Sequence, residues 1–313
     1  MYQIGIDIGG TGIKAGLVEE GKIIASKSIP TRVDDGVDII VDDIVQLINY
    51  LREEAGSNII TGVGIGCPGT ITSSAGVVDF SANLNWKFVP LADKVNAKVS
   101  LPVRVSNDAN VAALGEAKYG AGKKFNSSIM VTLGTGVGGG IIIDGKLFEG
   151  NQSKGAEIGH SVIKSGGEKC SCGRRGCFEA YSSATALIRD TKRAMQKNPG
   201  SLLWKVCPKI DDVNGKTVFD ARLLGDKAAI AVYDEYIRML GESLVNLVNT
   251  FRPEAIILGG GICAEGDVLL LPLKKYIAEH SFGSGPHVGL YVASLKNNAG
   301  IIGAAALVEW VNK

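Results

Sequence analysis

The sequence predicts an α/β protein built from two lobes. Three observations lead there. Its 313 residues correspond to about two domains at the usual ~150 residues each. Short β-branched runs alternate along it with stretches of helical apolar period. A strand–glycine turn–strand unit also occurs twice. Gly10-Thr11-Gly12 recurs as Gly134-Thr135-Gly136, Gly16 as Gly140, and Gly21-Lys22 as Gly145-Lys146, all at one offset. Two glycine-rich segments match in part by chance, yet each copy has the same order of strand, Gly-Thr-Gly turn, strand and Gly-Lys turn. The repeat therefore predicts a duplicated fold, with each lobe presenting its hairpin to a shared cleft.

The elements follow in order. Tyr2 to Ile8 is apolar and β-branched, a buried strand. Gly9 to Gly12 turns the chain, and Ile13 to Glu19 returns as a strand. Asp38 to Glu53 has apolar residues at 40, 41, 44, 45, 47, 48 and 51, which predicts a helix. Asn58 to Gly66 and Val103 to Ser106 read as strands, and Ala109 to Lys118 as a helix. The second strand–turn–strand unit runs from Ser128 to Phe148. Asp226 to Phe251 is a long amphipathic helix, and Ala255 to Leu258 a strand ending in Gly259-Gly260-Gly261. Ala299 to Val311 closes the chain as a helix with a small-residue face. The expected lobes are 1–117 with 299–313, a small α/β lobe, and 118–298, a large one.

Composition narrows the function. Lys plus Arg total 33 and Asp plus Glu 32, a net charge of +1. That balance offers no electrostatic footprint for nucleic acid or an anionic membrane. No basic segment with a long apolar run opens the chain, and its longest uncharged apolar stretch, Ile129 to Ile143, is broken by glycines. A span needs about 20 apolar residues, so the expectation is a cytoplasmic protein with reduced thiols. Glycine is in excess, 42 residues against the ordinary ~7%. It serves tight turns or close backbone approach to a ligand.

Two G-x-G-x-x-G matches, Gly64 to Gly69 and Gly134 to Gly139, are not followed by helix openings, so neither holds a dinucleotide at a helix N-terminus. The paired Gly-Thr-Gly turns are more informative. One alone is an ordinary hairpin. Two that face each other, with Gly259-Gly260-Gly261 after a third strand, would clamp a polyphosphate through backbone N–H groups and the threonine hydroxyls. Lys14 would neutralise charge, and Asp7 would hold Mg²⁺ through water. Asp108, in Asn107-Asp108-Ala-Asn110, is either a helix N-cap or a general base for an attacking hydroxyl. Asn83 and Asn107 are uncharged amides suited to polyols.

His160, Cys170, Cys172 and Cys177 supply the ligand types zinc prefers, and a complete set of four implies a closed structural site rather than a catalytic one. Reduced surface thiols are the alternative. Glu157 and His160 share a face if that turn is helical. Zinc would then fix the loop presenting Glu157 and Glu179, whose carboxylates would accept hydrogen bonds from substrate hydroxyls. His280 and His287 read as surface residues, and Cys67, Cys207 and Cys263 as buried small apolar ones.

Together these residues resemble the ROK family of bacterial sugar kinases. The matching pieces are Asp7-Ile-Gly-Gly-Thr11, Gly64-Ile-Gly66-Cys-Pro-Gly69, Asn83-Leu-Asn-Trp86, Asn107-Asp108-Ala-Asn110, Gly134 to Gly140, Glu157-Ile-Gly-His160, Cys170 to Glu179, and Gly259-Gly260-Gly261. They span nearly the whole chain in the family's order. The resemblance implies an actin/hexokinase-like ATPase fold, duplicated ribonuclease-H-like lobes around a cleft. It places ATP-Mg²⁺ at the glycine hairpins and the Gly259 turn, and a sugar near Asn83, Asn107, Asp108, Glu157, His160 and Glu179. Asp108 takes the family's catalytic-base position, His160 serves both zinc and sugar, and the protein is expected to be a homodimer. The family also holds repressors with an added helix-turn-helix domain. A phosphate hairpin so near Met1 points instead to a kinase. Glucose is the expected sugar. N-acetylmannosamine kinase, β-glucoside kinase and a non-catalytic sugar sensor are the alternatives. One departure from the glucokinase branch is Lys296, where glycine is common.

Overall fold

Ile4, Ile6 and Ile8 are buried along the first strand, β1 (Tyr2–Ile8). That strand is the centre of a sheet continued by β2 (Gly12–Glu19), β3 (Lys22–Pro30) and, after helix α1 (Val37–Ala55), by β4 (Ile60–Cys67). In this computed structural model, which describes residues 1–283 and 288–309, the chain goes on through a three-stranded meander, β5 (Thr70–Thr72), β6 (Val77–Ser81) and β7 (Trp86–Val89). Helix α2 (Leu91–Val99), strand β8 (Val103–Asn107) and helix α3 (Asp108–Tyr119) follow. Strands β9 (Ser128–Leu133), β10 (Val137–Ile143) and β11 (Lys146–Phe148) open a second sheet. Helices α4 (Glu179–Ser182), α5 (Ala184–Lys197), α6 (Leu203–Val206), α7 (Thr217–Leu223) and α8 (Lys227–Phe251) come next. Strand β12 (Ala255–Gly259), helix α9 (Asp267–His280), strand β13 (Gly289–Val292) and helix α10 (Ala299–Leu307) complete the set.

The two five-stranded sheets have one topology. Their orders are β3-β2-β1-β4-β8 and β11-β10-β9-β12-β13. In the first, β1–β2 and β2–β3 are antiparallel, while β1–β4 and β4–β8 are parallel. The second repeats this at β10–β11, antiparallel, and β12–β13, parallel. The sequence repeat is thus the trace of a sheet used twice.

Two compact units are present. One comprises Met1–Met130, Gly140–Ala156 and Ala293–Lys313, the other Val131–Gly139 and Glu157–Val292. In the first, α1 buries Ile40, Val41, Ile44, Leu47, Ile48 and Leu51, a stripe of helical period against the sheet. The small-residue helix α10 lies so close to its neighbours that side chains are excluded. A Cβ at Gly5 would stand 1.9 Å from the Ile301 carbonyl oxygen, and one at Gly303 1.6 Å from that of Val111. Helix α10 ends at Leu307, earlier than the apolar run to Val311 suggests, because Val308 and Glu309 form a turn. Val311 lies outside the described residues. In the second unit α8 is preceded by Asp226, whose carboxylate accepts the Ala229 N–H at 2.7 Å. That is a side-chain cap on the helix's free donors. No described helix is long and apolar enough to cross a membrane.

Candidate active site

In the first unit the residues singled out by sequence collect at the carboxyl ends of adjacent strands. Asp7 stands opposite Lys14 across β1–β2 and beside Gly66 across β1–β4. Cys67 stands beside Asn107 across β4–β8. Parallel strands aligned this way bring their last residues to one edge, where open α/β sheets bind ligands. Burial holds the Asp7 carboxyl above its ordinary range, with Lys14 pulling in the opposite sense. Helix α10 contributes to that burial, since a Cβ at Gly300 would lie 2.6 Å from the Asp7 carboxylate carbon. The Cys67 thiol is pushed up by burial first, then by the charges of Asp108 and Asp7. Asp7, Cys67 and Asp108 therefore share one neighbourhood.

The turn after β1 is held at several points. Gly9 N–H donates to the Gly12 carbonyl at 2.9 Å, and the Thr31 hydroxyl donates to the Gly9 carbonyl at 2.7 Å. Thr31 N–H donates to the Thr11 carbonyl at 3.2 Å. Asn83 lies against this turn, since a Cβ at Gly10 would stand 3.6 Å from that of Asn83.

The cap of α3 is Asn107, not Asp108. Asn107 Oδ1 accepts from Ala109 N–H at 2.9 Å and from Asn110 N–H at 3.3 Å, while its Nδ2 donates to the Gly69 carbonyl at 3.0 Å. Its carbonyl is thereby committed to the helix, and one amide N–H remains for a ligand. Asp108 is the first residue of α3, with Oδ1 accepting from Ala109 N–H at 2.9 Å.

In the second unit the Gly134–Gly136 turn is fixed from several sides. Gly134 N–H donates to the Gly136 carbonyl at 3.0 Å, Ala184 N–H to the Gly134 carbonyl at 2.8 Å, and the Thr185 hydroxyl to the Thr135 carbonyl at 2.8 Å. The turn after β12 packs on the end of β9. A Cβ at Gly260, whose φ is +101°, would stand 2.2 Å from the Leu133 carbonyl oxygen. The 134–136 and 259–261 turns are therefore neighbours. Glu179 joins them. Its Oε2 accepts Val137 N–H at 3.1 Å, and its Oε1 accepts the Ser171 hydroxyl at 2.6 Å.

The four expected metal ligands converge. Their ligand atoms lie within 4.8 Å of one another. Cys172 Sγ is 3.7 Å from Cys177 Sγ, and Cys170 Sγ is 3.6 Å from His160 Nδ1. A tetrahedral zinc with Zn–S of about 2.3 Å and Zn–N of about 2.1 Å spaces its ligand atoms roughly 3.5–3.8 Å apart, so the donor set fits. With Nδ1 turned toward the thiols, Nε2 is the nitrogen left for another partner. Glu157 is exposed and sits just before the 3₁₀ turn Ile158–His160. The Glu157 carbonyl accepts the His160 N–H at 3.1 Å, which closes the turn between the two residues.

Several supporting residues carry no local signal in the sequence: Thr31, Thr185, Ser171, and Glu149 after β11. Cys67, Cys207 and Cys263 are buried. His280 is exposed and stacks on Tyr276 at 4.0 Å. His287 falls outside the described residues. Lys296 adopts φ +52°, the left-handed region that favours glycine, at an exposed turn.

A sheet of one topology used twice, each copy opening on a strand–glycine turn–strand, defines the actin/hexokinase-like ATPase class. The family model of the ROK family matches residues 3–310, and the chain belongs to that family. A glucokinase from Thermotoga maritima is 38% identical, covering 98% of this chain and 96% of its own. A ROK family glucokinase from Streptomyces griseus, solved in complex with glucose and AMPPNP, superposes with a TM-score of 0.81 at 38% identity, covering 98% of this chain and 99% of that one. A ROK hexokinase from Thermus thermophilus gives a TM-score of 0.82 at 30% identity, covering 97% of each chain.

Proposed function

We propose that this protein is an ATP-dependent hexose kinase that converts glucose to glucose 6-phosphate. The observation that carries the reading is the match to glucokinases along nearly the whole chain, with each site motif present in this sequence. Asp108 takes the proton from the attacking sugar hydroxyl, its carboxylate steered by the Ala109 N–H. Asn83, Asn107, Glu157, His160 and Glu179 hold the remaining hydroxyls. Gly9, Gly10, Thr11 and Lys14, with Gly134, Thr135, Gly136 and Gly259, Gly260, Gly261, hold the ATP phosphates. Phosphoryl transfer asks a protein mainly for positioning and charge stabilisation, and these residue types supply both. Asp7 would hold Mg²⁺ through water, an ion that neutralises phosphate charge when bound. His160, Cys170, Cys172 and Cys177 would hold a structural zinc that fixes the 160–179 loop. The enzyme acts as a cytoplasmic homodimer without nucleic-acid or membrane partners.

The test is a coupled ADP-release assay with ATP-Mg²⁺ against glucose, N-acetylmannosamine, N-acetylglucosamine, fructose, mannose, allose and a β-glucoside. Turnover on glucose above the others is expected. Turnover confined to another sugar would reassign the substrate, and none on any sugar, in protein shown to hold zinc, would leave a sensor.

A further inference from the structure

Glu149 belongs to none of the motifs above, yet it is bonded to the strand that carries the proposed base. Its Oε1 accepts the Ser106 hydroxyl at 2.7 Å and the Ser73 hydroxyl at 2.7 Å. Both distances suit hydroxyl–carboxylate bonds, which are shorter and about twice as strong as neutral ones. Ser106 is 1% exposed, so its hydroxyl has no solvent to turn to, and the carboxylate fixes its rotamer.

Ser106 and Asn107 are consecutive residues of β8, and consecutive strand residues point to opposite faces. On one face Asn107 is tied to Gly69 and to the start of α3; on the other, Ser106 is tied to Glu149. The strand end is thus clamped on both faces one residue before Asp108. The segment that follows Glu149 is tied down as well. Lys154 Nζ lies 3.4 Å from Asp79 Oδ2, an oxygen that also accepts the Thr72 hydroxyl at 2.7 Å. Ser73 adjoins Thr72, so Glu149 and Lys154 anchor one segment to the end of β5.

We propose that Glu149 is a positioning residue for catalysis, holding the β8–α3 junction through Ser106 so that Asp108 meets the sugar hydroxyl in line. The inference rests on the reading of Asp108 as base. A misplacement of about 1 Å can cost on the order of 10²-fold in rate, and an untethered junction acts on that scale rather than on binding.

The experiment is steady-state kinetics and thermal melting of Glu149→Ala, Ser106→Ala, Glu149→Gln and Asp108→Asn. Glu149→Ala and Ser106→Ala should each lower kcat by about 10- to 100-fold, with KM for glucose and ATP within about twofold and melting little changed. The double variant should be no worse than either single one. Glu149→Gln keeps an acceptor oxygen and should restore kcat to within about threefold. Near-normal kcat in both alanine variants, with Asp108→Asn inactive, overturns the positioning role alone. So does a loss that tracks KM or melting, or a glutamine variant as slow as the alanine. Near-normal kcat in Asp108→Asn removes the base reading, and the proposal with it.

Discussion

The Glu179 carboxylate accepts the Val137 N–H at 3.1 Å, and its other oxygen takes the Ser171 hydroxyl. Val137 begins β10 directly after the Gly134–Gly136 turn, and Ser171 lies between two of the thiols. One carboxylate therefore ties the cysteine loop to the glycine turn. A Cβ at Gly136 would come within 2.4 Å of it, so the turn's glycine is also what lets the carboxylate approach. Glu179→Ala should raise KM for ATP as well as for sugar and cut kcat/KM by at least about tenfold, the scale of one charge-assisted hydrogen bond. A change confined to the sugar KM would separate Glu179 from the turn.

Asp108→Asn keeps the shape at the start of α3 and removes the carboxylate proposed as the base. The expected fall in kcat is about 10²- to 10⁴-fold, with glucose affinity by calorimetry altered less than about threefold. A variant that turns over normally excludes Asp108 from proton transfer.

One zinc per chain should be found by elemental analysis of the purified protein. Cys172→Ser removes a ligand from a set whose spacing fits the ion, so both zinc content and melting temperature should fall. Zinc absent from active protein with unchanged melting would mark the thiols as reduced and metal-free.

Asp7 shows opposed demands of stability and chemistry. Burial raises its folded-state pKa above the unfolded value, so the folded form binds the proton more tightly. The favourable contribution exists below the unfolded pKa and is lost as pH rises through the folded pKa. At neutral pH the ionised group is a net burden, and Asp7→Asn should melt higher than the parent. The gain should shrink on acidification, while turnover with ATP-Mg²⁺ should fall on the proposed role of Asp7 in holding the ion through water. A lower melting temperature at neutral pH would contradict this.

Lys296 holds a left-handed backbone at an exposed turn. Such a conformation costs an L-residue roughly 1 kcal/mol that glycine does not incur, offset in part by the greater unfolded-state freedom of glycine. Lys296→Gly should raise stability slightly in chemical denaturation, with turnover unchanged. A clear loss of stability would show the lysine side chain to be making a compensating contact.

Much of this architecture was legible because it was written in local pattern. The repeated Gly-Thr-Gly turns reported two sheets of one order, and the spacing of His160, Cys170, Cys172 and Cys177 reported their convergence. Strand β3 leaves weak apolar contrast in the sequence because none of its residues is buried. The β5–β7 meander consists of strands too short for periodicity to register. Asn107 and Asp108 are both good caps, and only the geometry decides that Asn107 does the capping. Glu149 was invisible because its partners, Ser73 and Ser106, are far from it in sequence, and a contact of that kind leaves no local period. The expected helix to Val311 overran because apolar residues continue past the point where the backbone turns.

Helix α10 has a bearing on how the chain is made. It packs on β1, β4 and α3 through contacts that leave no room for a side chain at Gly5, Gly64 or Gly303. Yet it lies near the end of the sequence, while β1 and β4 lie near its start. As the ribosome extends the chain at about 5–20 residues per second, the first sheet emerges early with a bare face where α10 belongs. The second unit ends at Val292, so α10 is the helix made directly after it. The N-terminal unit therefore cannot close its core until a helix made after the whole second unit has arrived.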